Sequence, residues 1–440
     1  MKDLLIKDVT VVTMDAKDRI VNDGVIVVNG GKIEFVGTFD DVPGSFGTET
    51  YRSIISASGC VAIPGLVNTH THSPMCLMRG YADDLPLQEW LEQKIFPVEA
   101  RLSPEDTYWA AMLSCIEMIK SGTTTFADMY FSMDDVARAV EEVRMRACLS
   151  VGITSDETDY EPKLRDVASF CERWHNQAGG RITTMFGPHA PYTCSPELLK
   201  DVSTLAHEME LGIHIHVSET YKEVEDIRAK YGVSPVELLN SCGVFDGRTL
   251  AAHCVALSEE DIAILAEKKV AVSHNPGSNM KLASGVAPLG KLIASGVTVG
   301  LGTDGSSSNN NLDMFEEMRL ASLLHKVSNF DAVAVPAYTS LKMATIEGAK
   351  CLGLDYNIGS IETGKRADIA IVDFNQPHLV PRTDILSHLV YSAGGADVIT
   401  VVVDGKVVME NRKIMTVDEE EVMEEVNFRA KKLLSGSNVD

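Results

Sequence analysis

The chain is 440 residues long, with 45% hydrophobic and 23% charged residues, close to the averages for globular proteins. At about 150 residues per domain this length predicts about three domains, or one large barrel with something smaller, and the composition excludes disordered, collagen-like and membrane-spanning chains. The formal net charge of −24 repels phosphate backbones and anionic lipid, so neither a nucleic acid nor a membrane surface is expected as a partner.

The chain opens on Met-Lys-Asp-Leu-Leu-Ile-Lys-Asp, which lacks the apolar core of a signal peptide, and no later apolar run is long enough for a membrane span. Strand-like sequence follows: Val9–Met14, then Gly24–Val28 and Lys32–Val36 flanking the hairpin signal Asn29-Gly30-Gly31. The middle of the chain alternates. Eight short apolar runs, Val61–His72, Thr123–Asp128, Arg146–Ile153, Thr183–Ala190, Gly212–Glu219, Thr249–Ala256, Val270–Pro276 and Thr298–Gly305, are separated by helical patterns. The predicted helices include Pro104–Ser121, Asp134–Met145, Pro196–Leu211, Pro235–Ser241, Ser258–Lys268 and Pro288–Ser295. The end of the chain turns β-rich again, with Ala367–Phe374 and a second hairpin in which Val398–Val403 and Lys406–Met409 flank Asp404-Gly405. An acidic-to-basic stretch, Glu419–Lys432, then reads as a surface helix whose charges suit its dipole.

Eight alternations of this kind match a (β/α)8 barrel. The predicted organisation is an α/β chain in which residues 60–355 form the barrel and residues 1–59 and 356–440 together form a small β-sandwich domain. A doubly wound sheet fits the alternation too, but leaves the strand-end pattern unexplained. Nine cysteines at 60, 76, 115, 148, 171, 194, 242, 254 and 351 form no C-x-x-C pair, and an odd count in so long a chain predicts reduced, buried thiols in a cytoplasmic protein.

Most of the apolar runs carry a chemically capable residue at or near the C-terminal end: His70-Thr71-His72, His189, His216 with Glu219 beyond, His253, His274 and Asp304. Any one of these histidines alone is adequately explained as a satisfied core residue. The set is not, because a core gains nothing by burying polar groups repeatedly at matching places, and in a barrel these ends converge on one face. His70 and His72, two apart on a strand, point the same way and suit zinc or a similar divalent ion. His216 offers a third nitrogen and Asp304 an oxygen, leaving room for one water whose pKa the ion would lower towards about 7. The fourth run has no lysine that could bridge two ions, so one ion per chain is expected; zinc is favoured, with iron or manganese compatible. The H-x-E and P-C-x-x-C pair of base-editing zinc deaminases is missing from the sequence.

The segment Pro64-Gly65-Leu66-Val67-Asn68-Thr69-His70-Thr71-His72 resembles the opening of the amidohydrolase superfamily. Gly187-Pro188-His189-Ala190-Pro191-Tyr192, His214-Ile215-His216-Val217-Ser218-Glu219-Thr220, Ala252-His253-Cys254, Ser273-His274-Asn275-Pro276 and Gly302-Thr303-Asp304-Gly305 are similar to its deaminase branch. Gly65–Arg79, Leu85–Glu99 and Asn309–Arg319 fit the 5-methylthioadenosine/S-adenosylhomocysteine deaminase family in particular, and the resemblance spans essentially the whole chain. It implies a metal at His70, His72, His216 and Asp304, with Glu219 as proton shuttle and His253 polarising the water. Glu99 and His189 would bind the ribose hydroxyls. The implied reaction is attack of hydroxide on C6 of adenine, with Glu219 moving the proton to N1 and helping ammonia leave, and His253 and Asp304 stabilising the tetrahedral species. The family also implies a dimer or tetramer of identical copies.

Trp90 is weighed between lid packing and the wall of the nucleoside pocket, and is kept among the candidate substrate-binding residues. His274 is read as structural support, Ser306–Asn311 as a loop that steadies the site, and Met75, Met78, Met129 and Met133 as packing. One departure stands out. Relatives commonly carry an arginine after the third strand that can pair with the homocysteine carboxylate; here Val151 takes that place, with Lys163 and Arg165 the nearest cations in sequence. Small uncharged 5′ groups are therefore expected to be favoured, as in methylthioadenosine, 5′-deoxyadenosine and adenosine, with S-adenosylhomocysteine weaker. Deamination of a guanine-, pterin- or cytosine-type ring, hydrolysis of a cyclic amide, and a catalytically silent barrel are the competing readings.

Overall fold

A computed structural model of the chain describes residues 1–43, 50–155 and 160–435. Eight parallel strands run in sequence order round a barrel: Leu66–Thr71, Thr123–Tyr130, Arg146–Ile153, Ile182–Pro188, Gly212–Val217, Thr249–His253, Ala271–His274 and Val299–Leu301. They are buried on both faces along most of their length, which is why they read as near-continuous apolar runs. The ring closes between the last strand and the first without a ladder. Thr69 Oγ1 donates to the Leu301 carbonyl at 2.9 Å and the Asp304 amide to the His70 carbonyl at 2.9 Å.

The six predicted helices form within three residues of their predicted ends. Ser103, Ser234 and Ser258 each cap a helix, the hydroxyl accepting from the N–H three residues on and the serine's own N–H donating to that residue's carboxylate, with Pro104 and Pro235 in the first turn. At the N-terminal end of the barrel Val67, Ala127, Cys148, Met185 and Leu250 pack against Cys351, Leu352 and Ile358, which plugs that end and leaves the other free for chemistry.

The two β-rich ends of the chain form one nine-stranded mixed sheet. A single core cluster joins Ile6, Ile26 and Ile33 from its N-terminal strands to Ile369, Ile371 and Val402 from its C-terminal strands. Its two hairpin turns touch. A Cβ on Gly405 would come within 2.8 Å of the Gly31 Cα, and both glycines have positive φ, so neither turn admits a side chain. The run predicted as one strand, Val61–His72, divides at Pro64-Gly65. Cys60–Pro64 pairs antiparallel with Ile369–Asp373 in the terminal sheet, and only Leu66 onwards enters the barrel. Glycine is required at the break, because a Cβ on Gly65 would lie 2.1 Å from Thr124 Oγ1.

The sheet is tied to the barrel by a buried fork. Arg146 Nε donates to Asp368 Oδ2 at 2.8 Å and Nη2 to Oδ1 at 3.2 Å. The final helix, Glu419–Ser435, lies against Pro104–Lys120, with Arg429 paired to Glu105 and Asp106. All nine cysteines are free and buried. Among the described residues no helix is long and apolar enough to cross a membrane.

Candidate active site

The C-terminal ends of the strands bring His70, His72, His216, His253 and Asp304 together. Ring centroids of His70 lie 4.8, 4.9 and 5.4 Å from those of His72, His216 and His253. His72 and His216 are each oriented from behind: the Nδ1–H of His72 donates to the Met129 carbonyl at 2.6 Å, and that of His216 to the His189 carbonyl at 2.7 Å. A carbonyl can only accept, so the proton of a neutral ring held this way is on Nδ1 and its Nε2 carries a lone pair; the two Nε2 atoms face each other at 3.3 Å. His70 Nδ1 is engaged with His214 Nε2 at 2.8 Å, and its own Nε2 has no hydrogen-bond partner.

Asp304 completes the cluster. Its Oδ2 accepts from Ser278 Oγ at 2.6 Å and Ser308 Oγ at 2.8 Å, whereas its buried Oδ1 has no hydrogen-bond donor and lies 3.4 Å from His70 Nε2 and 3.2 Å from His72 Nε2. Lone pairs aimed at one another in a dry pocket repel unless a cation sits among them. The donor set, neutral imidazoles with one carboxylate oxygen, is that of a divalent transition metal. Burial favours the neutral imidazole, holding His70 down to about 3 and His216 well below its ordinary range. His70, His72 and Asp304 form one potential ligand group, and His70, His216 and His253 another.

Beside this cluster Glu219 is buried, which raises its carboxyl above the usual range. Its Oε2 lies 3.9 Å from His253 Nε2, and Ser284 Oγ approaches its Oε1 at 3.4 Å. The Nδ1 of His253 is 2.9 Å from Asn279 Oδ1. Burial works against charge on His253, but the Glu219 and Asp304 carboxylates outweigh it and raise its pKa. Ser218, His253 and Asp304 all have φ between +49° and +71°, backbone strain gathered where the strands deliver these groups.

A cleft opens above, walled by Trp90, Glu99, His189, Glu219 and His253. Glu99 Oε1 accepts from Tyr130 OH at 2.6 Å, and His189 Nδ1 is 2.8 Å from Thr193 Oγ1. Trp90 is 4% exposed, and its indole N–H has no partner. Met75 and Met129 also line the cleft, while Met78 and Met133 are core residues. Val151 is half-buried off the cleft wall, although Gly152 and Thr154 are on it. Lys163 Nζ donates to the Thr154 carbonyl at 3.2 Å, and Arg165 pairs with Glu161 in solvent. His274 stays outside the cluster, its Nε2 3.1 Å from His325 Nε2. Ser308 supplies the support expected of the loop after Asp304.

Several contributors are not evident from the sequence. Asp128 is buried beneath the His70–His72 turn, where its Oδ1 accepts from Ser73 N at 2.8 Å and Thr71 Oγ1 at 2.9 Å. Its place at the end of the second apolar run was the available signal. Glu223 stands four residues beyond Glu219. Ser278 and Asn279 follow Pro276 in a short polar helix and carry no recognisable signal.

The sequence profile of the amidohydrolase family matches residues 61–408. The chain is 54% identical over 435 residues to a 5-methylthioadenosine/S-adenosylhomocysteine deaminase of Pelotomaculum thermopropionicum, covering 99% of this chain and 100% of that one. It is 50% identical over 440 residues to a 5′-deoxyadenosine deaminase of Methanosarcina acetivorans, covering 100% of both. The crystal structure of an adenosine deaminase from Xanthomonas campestris with bound zinc superposes with a TM-score of 0.94 at 36% identity, over 99% of each chain. The chain belongs to the amidohydrolase family and groups within it with the 5-methylthioadenosine/S-adenosylhomocysteine and 5′-deoxyadenosine deaminases.

Proposed function

We propose that this protein hydrolytically deaminates the adenine ring of 5′-modified adenosines, giving the inosine analogue and ammonia. One divalent ion, zinc by preference, would be held by His70, His72, His216 and Asp304. The carrying observation is the convergence of partnerless acceptors, His70 Nε2 and Asp304 Oδ1, with the facing Nε2 atoms of His72 and His216. When bound, the ion supplies the Lewis acidity that makes a water nucleophilic near neutral pH.

The chain's own groups do the rest. Glu219, with a carboxyl already raised by burial, takes the water's proton and passes it to adenine N1, so that negative charge does not accumulate on the ring as C6 is attacked. His253, beside the Glu219 and Asp304 carboxylates, faces the charge that develops on the attacking oxygen. Glu219 then takes the remaining proton from the oxygen added at C6 and delivers it to the amino group, so that the C6–N bond breaks, ammonia departs and the C6 carbonyl forms. Glu99 and His189 accept from and orient the ribose hydroxyls, and Trp90 walls the nucleoside.

Among the described residues no lysine or arginine lines the cleft, and the cations further out, Lys222 and Lys281, are paired with Asp226 and Asp83. That absence supports a preference for methylthioadenosine, 5′-deoxyadenosine or adenosine over S-adenosylhomocysteine. The test is ammonia release from these four nucleosides with metal analysis of the same sample. Glu219→Gln should abolish turnover and keep the metal. Higher kcat/KM for S-adenosylhomocysteine overturns the substrate order, and no ammonia from any adenosine overturns the reading.

A further inference from the structure

Glu219 has a demanding task for a side chain so lightly held. Its carboxylate has one weak hydroxyl contact, to Ser284 at 3.4 Å, and His253 only at 3.9 Å. The freedom suits a group that must carry a proton between three positions, but the backbone it swings from has to be fixed. That backbone lies in an irregular turn past the strand end, with Ser218 at φ +49°; the Ser218 carbonyl accepts from Val255 N at 3.0 Å and Ala256 N at 2.8 Å, which leaves the Ser218 and Glu219 N–H groups to be held.

We propose that Glu223 is a positioning residue whose buried carboxylate clamps the successive backbone N–H groups of Ser218 and Glu219 and so sets the origin of the proton-carrying side chain. Its Oε1 accepts from Ser218 N at 2.9 Å and its Oε2 from Glu219 N at 2.8 Å. Helix capping does not explain this. In the helices that begin after Ser103, Ser234 and Ser258, the acid three residues beyond the cap reaches back to the cap's own N–H. Glu223 occupies the same position after its cap Thr220, whose Oγ1 accepts from Glu223 N, yet its side chain passes over Thr220 to the two residues before it. The carboxylate is 5% exposed and forms no ion pair with any described residue. Burial pushes it up to about 7, a destabilisation that ordinary capping does not require. One short bond to each of two successive N–H groups, with the Ser218 carbonyl held from the other side by Val255 N and Ala256 N, fixes the Ser218–Glu219 peptide plane and with it the direction of the Glu219 Cα–Cβ bond.

This inference rests on Glu219 being the proton carrier, so the experiment measures both. Metal-loaded wild type, Glu219→Gln and Glu223→Gln are compared for kcat, KM, metal per chain and the pH profile of kcat. In Glu223→Gln one side-chain oxygen becomes an N–H donor facing a backbone donor. The expected result is a kcat at least tenfold lower with KM within threefold, metal content unchanged and the acid limb of the profile moved. A kcat per bound metal within twofold of wild type, or a loss that merely follows metal loss, overturns the inference. If Glu223→Gln does not fold, Glu223→Asp, which keeps the charge but reaches only one N–H, is judged by the same criteria. A wild type that deaminates, with Glu219→Gln silent and Glu223→Gln unimpaired, removes the positioning role alone. A wild type that releases no ammonia removes the proposed function and this inference with it.

Discussion

The hydroxyls behind Asp304 give the sharpest test of the metal site. Ser278 and Ser308 both donate to Oδ2, so that oxygen is occupied and only Oδ1 is directed at the imidazoles. Ser278→Ala and Ser308→Ala each remove one hydrogen bond to a charged, buried acceptor, worth about 1.5–3 kcal/mol. Each 1.4 kcal/mol is tenfold in affinity, and lost outer partners of metal ligands typically cost about 10- to 100-fold. Each single variant should therefore bind zinc about tenfold more weakly, because the remaining serine still holds Oδ2. The double variant, with that oxygen buried and no donor left, should lose about 100-fold or more. The measurement is competition between the protein and a chelator of known affinity at fixed pH. A double variant that binds zinc within threefold of wild type, while melting at the same temperature, would show that Asp304 does not depend on this clamp.

Three further outcomes follow from the same geometry. Arg146→Met leaves Asp368 buried without its cation and should cost about 3–5 kcal/mol in a denaturant titration, with most of it regained in Arg146→Met/Asp368→Leu; a single variant as stable as wild type contradicts this. Glu317 is fully buried, which pushes its carboxyl up to about 8. An unfolded glutamate loses its proton near pH 4.3, so between about pH 5 and 8 the folded chain binds the extra proton and stability falls as pH rises. Glu317→Gln should flatten the dependence of melting temperature on pH across that window, and parallel curves would sink the idea. Glu99→Ala removes the acceptor assigned to the ribose and strands Tyr130 OH; kcat/KM for nucleosides should drop by about 10- to 100-fold, and an unchanged value would refute the assignment.

The local signals served well where one face of an element meets the core in regular rhythm. Capped helices such as Pro104–Lys120 and Pro235–Ser241 were legible because the serine, proline and acid that start them act within one turn. Tyr221–Tyr231 was not, since it buries only Glu223 and Ile227 and so carries almost no apolar period.

Sequence alone determined the alternation that makes a barrel and the polar residues near its strand ends, since strand polarity sends every such end to the same rim. It could not say that Val61–His72 serves two sheets, because the first half pairs with Ile369–Asp373, far along the chain, and the second with Thr123–Tyr130. Nor could it place Asp128 against Ser73 or Ser278 against Asp304, because those hydrogen bonds join atoms brought together only by the closed ring; the Glu223–Glu219 bond is local, but it departs from the capping pattern that the spacing suggests. Residue type and spacing fix which chemistry is available; the direction in which each lone pair points is set by neighbours distant in the chain, and only the folded structure supplies them.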